Sequence, residues 1–262
     1  MATTVIAAST RYDATPESRL RFAEAVSLAR RATERHIPLV YADADSCAED
    51  IAALIDAGAT VVPATRAEFG PPYMYGRCQR DAINAALQLN PDAILFTQPE
   101  KPSIVDSIDA IIEPLQSGMV DIVIPYRLST ASYPCLQQHF EKFINSYWHT
   151  LTGRQLDVCF GVRAFTPRGA AYFTDYASRS YAKRFGPYRP DSWEAIFLPL
   201  IDALAEGVPV KGITVDYEHP GAMTRYEERN EAAAYKRHQQ SIVLFEMLRD
   251  QWHKRKAMPP SH

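Results

Sequence analysis

The sequence predicts an α/β protein built on a doubly wound, mostly parallel sheet with helices on both faces. Three observations predict it. Short apolar runs recur at residues 4–8, 38–42, 60–63, 93–97 and 122–125. Amphipathic helical patterns lie between them, at residues 17–34, 48–57, 75–89 and 104–115, and such alternation is the signature of strand–helix–strand units. The runs end abruptly in small, polar or acidic residues, most sharply at Ala93-Ile94-Leu95-Phe96-Thr97-Gln98-Pro99-Glu100-Lys101. Parallel-sheet enzymes place their chemistry at such carboxyl ends of strands.

In the first helix, Leu20, Ala23, Val26, Leu28 and Ala29 fall near helical spacing with Arg and Glu between them. Thr15 is its expected cap and Pro16 its first helical residue. The second half changes character. Residues 134–151 read as an aromatic-rich helix, and residues 158–165 as a strand leading into a short helix after Pro167. The segment 181–192, rich in Arg, Lys, aromatic residues and Pro, reads as an ordered loop or lid. An apolar helix at 193–205, a strand at 208–217 and a long amphipathic helix with a basic end at 227–256 complete the chain. There is no internal repeat and no linker that cuts the chain. A single domain over 1–262 is expected, with a nucleotide-binding half (1–127), an acceptor-side half (128–226) and a terminal helix and tail (227–262).

Of the 262 residues 47% are hydrophobic and 23% charged, ordinary values for a soluble globular chain. A net charge of −3 lacks the basic field that nucleic-acid binding requires. Cys47, Cys78, Cys135 and Cys159 have no CxxC spacing, so neither a zinc site nor a disulfide framework is expected, and reduced thiols in a cytoplasmic protein are the plain reading. The start of the chain lacks the basic flank and long apolar core of a signal peptide. No apolar run approaches the roughly 18 residues of a membrane span.

Several strand ends and helix starts carry candidate chemistry. The first strand runs into Ser9-Thr10-Arg11 and the second into Asp43-Ala44-Asp45-Ser46. Acidic and small residues there suit a nucleoside, and they equally suit capping of the next helix. Arg77 and Arg80 lie three residues apart near a helix start, where positive side chains and free N–H groups together favour a pyrophosphate; a solvated helix face has the same pattern. The loop 69–75 either drapes over a ligand or is a rigid connector. Glu100 offers a hard cation one carboxylate, Gln98 a weaker neutral oxygen, and Lys101 a charge that neutralises phosphate directly; ordinary turn chemistry is the alternative. Asp191 and Glu194 form a capping-box pattern, and a carboxylate at that place also suits an acceptor hydroxyl or a general base. His219 follows the last strand and is either a metal ligand or a structural histidine. No Walker loop, nucleophile elbow or HExxH motif is present.

In their joint order these pieces resemble a GT-A glycosyltransferase over roughly residues 3–228. The first half is similar to the family 2 type: a first strand, an acidic second strand end, a Gly-x-x-x-Arg helix (Gly76, Arg80) running on to Ile83, then a strand bearing the metal motif. The second half looks like mannosylglycerate synthase and its relatives, through Gly161, Asp191-Ser192-Trp193-Glu194, and His219 followed by Arg225 and Tyr226. The resemblance implies Ser9, Arg11 and Asp43 around the nucleoside and Arg77 and Arg80 near the diphosphate. It implies Mg²⁺ or Mn²⁺ held by Glu100 and His219, with Gln98 in place of the first acid of the Asp-x-Asp motif. Asp191 would contact acceptor or transferred sugar, with Glu194 beside it.

The expected function is therefore transfer of a sugar from a nucleotide-diphosphate sugar to a small-molecule or glycan acceptor, retaining and metal-assisted. Gln98 keeps two alternatives open, a metal-independent enzyme and a nucleotide-sugar-binding protein without turnover. A sugar nucleotidyltransferase fits less well, because Ser9-Thr10-Arg11-Tyr12-Asp13-Ala14 has no glycine. The long terminal helix offers a surface for a homo-oligomer.

Overall fold

The structure is a computed structural model and describes residues 3–66, 73–176, 191, 194–229 and 231–257, with the backbone alone over 231–243. Its first half alternates strand and helix as expected: β1 (Thr4–Thr10), α1 (Pro16–Glu34), β2 (Leu39–Asp43), α2 (Ala48–Asp56), β3 (Thr60–Pro63), α3 (Tyr75–Leu87) and β4 (Ala93–Phe96). Thr15 caps α1 by accepting the Ser18 N–H, with Pro16 at the first turn. The single helix expected over 104–115 divides. A 3₁₀ segment, Pro102–Ser107, precedes α4 (Ile108–Gln116).

The second half comprises β5 (Ile122–Arg127), α5 (Cys135–Thr152), β6 (Arg163–Phe165), α6 (Pro167–Thr174), α7 (Glu194–Ala205), β7 (Val210–Val215), α8 (Gly221–Glu228) and α9 (Glu231–Lys256). Two expectations change here. The strand read over 158–165 shrinks to Arg163–Phe165, because the chain turns sharply at Gly161, whose φ is +82°. The helix read from residue 227 is two helices, since α8 ends at Glu228. The expected loop or lid at 181–192 lies outside the described residues except for Asp191, as do residues 69–72 of the connector.

The seven strands lie in the order β3-β2-β1-β4-β6-β5-β7. All pairings are parallel except those of β6, which runs antiparallel to both β4 and β5. The other six strands therefore point the same way, and their carboxyl ends share one edge. One face of the sheet, with Val5, Ala7, Val40, Ala42, Phe96 and Ile124, is covered by α3, α5, α6, α7 and α9. The other, with Ile6, Ala8, Tyr41 and Leu95, is covered by α1, α2 and α4. Strands buried on both faces explain why the runs read as continuous apolar stretches.

Candidate functional site

The ends of β1 and β2 meet at Asp43. Its carboxylate accepts from Thr10 Oγ1 (2.8 Å), the Ser46 backbone N–H (2.8 Å) and Ser46 Oγ (2.6 Å). Asp43 thus anchors the corner between the two strands, as the capping alternative has it, and retains lone pairs for a further donor. Ser9 is half-buried beside this corner and Arg11 is exposed just beyond β1.

The end of β4 is the centre of the site. Gln98 Oε1 accepts from Lys101 Nζ at 2.5 Å. A Cβ on Gly161 would lie 3.0 Å from the same oxygen, so the left-handed glycine is what lets the chain pass over Gln98. Tyr75 brings its hydroxyl to Gln98 from the start of α3; burial raises it to about 12, partly offset by that contact. Glu100 bonds Arg21 of α1 at 2.7 Å, and Arg21 also meets Glu17 (2.9 Å) and Glu227 (3.8 Å). Burial acts to raise the Glu100 carboxyl, but Arg21, Lys101 and His219 outweigh it and hold it below the usual carboxylate range. His219 is therefore close enough to Glu100 to act on it electrostatically. Its ring stacks on Tyr133 at 4.3 Å and 17°, and its backbone N–H donates to Ser132 Oγ. Lys101 is buried, and burial lowers its ammonium to about 8.

Beside this turn, β5 ends in a buried charge network. Arg127 Nε and Nη2 bond Asp157 at 2.6 and 2.8 Å, and Nη2 lies 2.7 Å from Glu141. The guanidinium also stands over the rings of Tyr133 (4.6 Å) and Phe160 (5.0 Å). Asn145 donates to Asp157 at 2.8 Å.

Asp191 joins α3 to the start of α7. Both its oxygens take Arg80, each at 2.6 Å, and its carbonyl accepts the Gly76 N–H at 2.9 Å. A Cβ on Gly76 would fall 2.3 Å from Asp191 Oδ1 and 2.6 Å from Ala195 Cβ, so only glycine allows this approach. Glu194 accepts the Asp191 backbone N–H at 2.5 Å, the return half of the expected capping box. The Asp191 carboxylate itself is turned to Arg80. Arg77 bonds the Arg66 carbonyl at 3.3 Å and does not share the Arg80 contact.

The structure thus gathers Gln98, Glu100, Lys101 and His219 at the end of β4, places Ser9, Arg11 and Asp43 at the neighbouring strand ends, and pairs Arg80 with Asp191. Arg21, Tyr75, Arg127, Glu141 and Asp157 are additions that the sequence reading lacked. As possible metal donors, Glu100 and His219 stand out in this gathering, while the Gln98 oxygen already accepts from Lys101; among the described residues no group of three His, Cys, Asp or Glu side chains converges. Two protein donors suffice for a hard cation whose coordination is completed by substrate phosphates and water, and a carboxylate bound to one arginine keeps lone pairs. The residues present fit such an ion as a sparse site.

No protein-family model matches the chain, and no curated protein matches it in sequence. Solved structures do match, and they show the fold: the mixed, mostly parallel sheet with its helices is the GT-A fold. It is similar to glucosyl-3-phosphoglycerate synthase from Mycobacterium tuberculosis in complex with Mg²⁺ and UDP, with a TM-score of 0.63 and 13% identity over 99% of this chain and 81% of that one. The complex of that protein with phosphoglyceric acid matches with a TM-score of 0.62 and 13% identity, covering 99% and 82%. Its complex with Mn²⁺, UDP-glucose and glycerol 3-phosphate matches with a TM-score of 0.61 and 13% identity, over 99% and 82%.

Proposed function

We propose that this protein is a nucleotide-sugar-dependent glycosyltransferase of the cytoplasm that moves a sugar to the hydroxyl of a small acceptor, with retention. The observation that carries the reading is the turn after β4. There Glu100, Lys101 and His219 meet at the carboxyl edge of the sheet, where open parallel sheets place their ligands, and the structurally similar synthase forms complexes with UDP and Mn²⁺ or Mg²⁺. The acceptor class is taken from the phosphoglyceric acid and glycerol 3-phosphate bound by those relatives. Self-association through α9 belongs to the same reading.

In this reading the strand-end corner of Ser9, Arg11 and Asp43 receives the nucleoside. Glu100 and His219 hold Mg²⁺ or Mn²⁺, which when bound supplies Lewis-acid stabilisation of the leaving diphosphate. Lys101 adds a fixed positive charge in a dry site, where such preorganised charge has its largest effect on a transition state. Arg80 holds Asp191 in place, so that Asp191 and Glu194 shape the acceptor side and orient the hydroxyl toward the anomeric carbon.

Thermal denaturation against UDP, GDP and ADP and their sugars, with and without Mg²⁺ or Mn²⁺, tests the reading. A ligand that binds only the folded state raises the midpoint. One base should shift it, and product should form from the matching nucleotide sugar with phosphoglycerate or glycerol 3-phosphate as acceptor. Binding without transfer or hydrolysis would favour the nucleotide-sugar-binding alternative. No shift with any nucleotide would sink both.

A further inference from the structure

Lys101 is a buried ammonium. It is 5% exposed, and its hydrogen bond goes to the neutral amide oxygen of Gln98. It forms no ion pair among the described residues, and Glu100 and Glu141 act on it only through space. An ammonium carries three donors, and a buried charge is costly unless it is paired. The two cations nearest to it electrostatically are paired: Arg21 with Glu100 and Glu17, Arg127 with Asp157 and Glu141. The residue that denies Lys101 a partner is Gln98, since a carboxylate in its place would lie against the ammonium.

We propose that Lys101 is the seat of the donor diphosphate, and that it lets a nucleoside diphosphate bind without any divalent ion. Gln98 holds the ammonium in position with a neutral oxygen and leaves its charge for the ligand. The anionic oxygens supply the missing counter-charge and accept the N–H donors that the protein leaves open. The location supports the diphosphate: Lys101 is the immediate neighbour of Glu100 on the turn at the carboxyl edge, and its ammonium stands 5.4 Å from the Phe160 ring, within the wall of the site. This inference rests on the glycosyltransferase reading, and it adds that diphosphate binding and metal binding are separable.

The test is binding of UDP and of inorganic pyrophosphate, by calorimetry and thermal shift, in the presence of EDTA. The wild-type protein should bind both. Lys101→Met should weaken that binding at least tenfold and raise the midpoint of the unliganded protein, because an unpaired buried charge has been removed. Gln98→Asp keeps Lys101 but gives it an internal counter-ion. It should weaken UDP binding in EDTA and make that binding respond to Mg²⁺. UDP binding to the wild type only when metal is present would overturn the inference and leave the glycosyltransferase reading standing. No UDP binding under any condition would overturn both. A Lys101-dependent response to 3-phosphoglycerate in EDTA, with none to UDP, would move the anion seat to the acceptor and overturn the diphosphate assignment.

Discussion

Two strand ends, on either side of β6, handle buried positive charge in opposite ways. At the end of β5, Arg127 meets two carboxylates and stacks against two aromatic rings. At the end of β4, Lys101 meets an amide. The first charge is ion-paired within the chain, while the second, in the proposed reading, takes its counter-charge from a bound ligand. The difference separates a structural charge from a charge held in readiness, and it does so by partner chemistry rather than by burial, because both residues are almost wholly enclosed.

The strongest way to break the comparison is Arg127→Met. It leaves Asp157 and Glu141 buried without their cation, and loss of one member of a buried pair costs about 3–5 kcal/mol. Denaturant unfolding should show a large drop in midpoint. Lys101→Met should act with the opposite sign and raise the midpoint of the unliganded protein, because an ammonium buried without an ion pair is removed. If both substitutions destabilise alike, the two cations are equivalent and the distinction fails.

Gly161→Ala probes the wall between the two strand ends. It forces an alanine into φ +82° and brings its Cβ to 3.0 Å from Gln98 Oε1. A left-handed non-glycine residue costs of order 1–3 kcal/mol, so the thermal midpoint should fall and the nucleotide-induced shift should shrink with it. A variant with the wild-type midpoint would show that the turn relaxes freely.

Acid titration sharpens the β5 side. Burial raises the Asp157 carboxyl, but the Arg127 contact outweighs this and leaves it depressed. A carboxyl depressed on folding contributes stability that is full above its unfolded value, about 3.9, and is lost as pH falls through the folded value. The stability gap between wild type and Asp157→Asn should therefore be constant near neutrality and close below about pH 4. A gap independent of pH would mean that the carboxylate charge is not what Arg127 uses. The smallest effect is the control: Arg31→Ala removes an exposed pair with Asp106 and should change stability by no more than about 1 kcal/mol.

Much of the sheet could be read from residue patterns because its strands are local. The apolar runs of β1, β2, β4 and β5 are bounded by turn residues, and burial on both faces makes them continuous. What could not be read depends on distant partners. The reversal and shortening of β6 follow from pairing with β4 and β5, and nothing in Arg163-Ala164-Phe165 announces direction. The split at Ser107 and the break after Glu228 fall inside segments whose apolar spacing runs on. Gln98, Glu100 and His219 stood out because strand ends are visible in sequence. Arg21 did not, since four residues after Glu17 it looks like an ordinary helix-surface pair, and its contact with Glu100 spans 79 residues. The Arg127 network was hidden for the same reason, although an arginine closing an apolar strand was a signal that deserved weight.

The antiparallel strand has a bearing on how the chain folds. β1, β2 and β3 are joined by short helical crossovers and can pair as each emerges. β4 and β5, in contrast, never touch; β6 lies between them and is made dozens of residues later. The middle of the sheet cannot close until Arg163–Phe165 is threaded into place, and contacts of such long sequence separation slow folding. The step that joins β4 to β5 through β6 is thus the step that brings Gly161 over Gln98, and the binding turn takes its final shape only when the two sides of the sheet are joined.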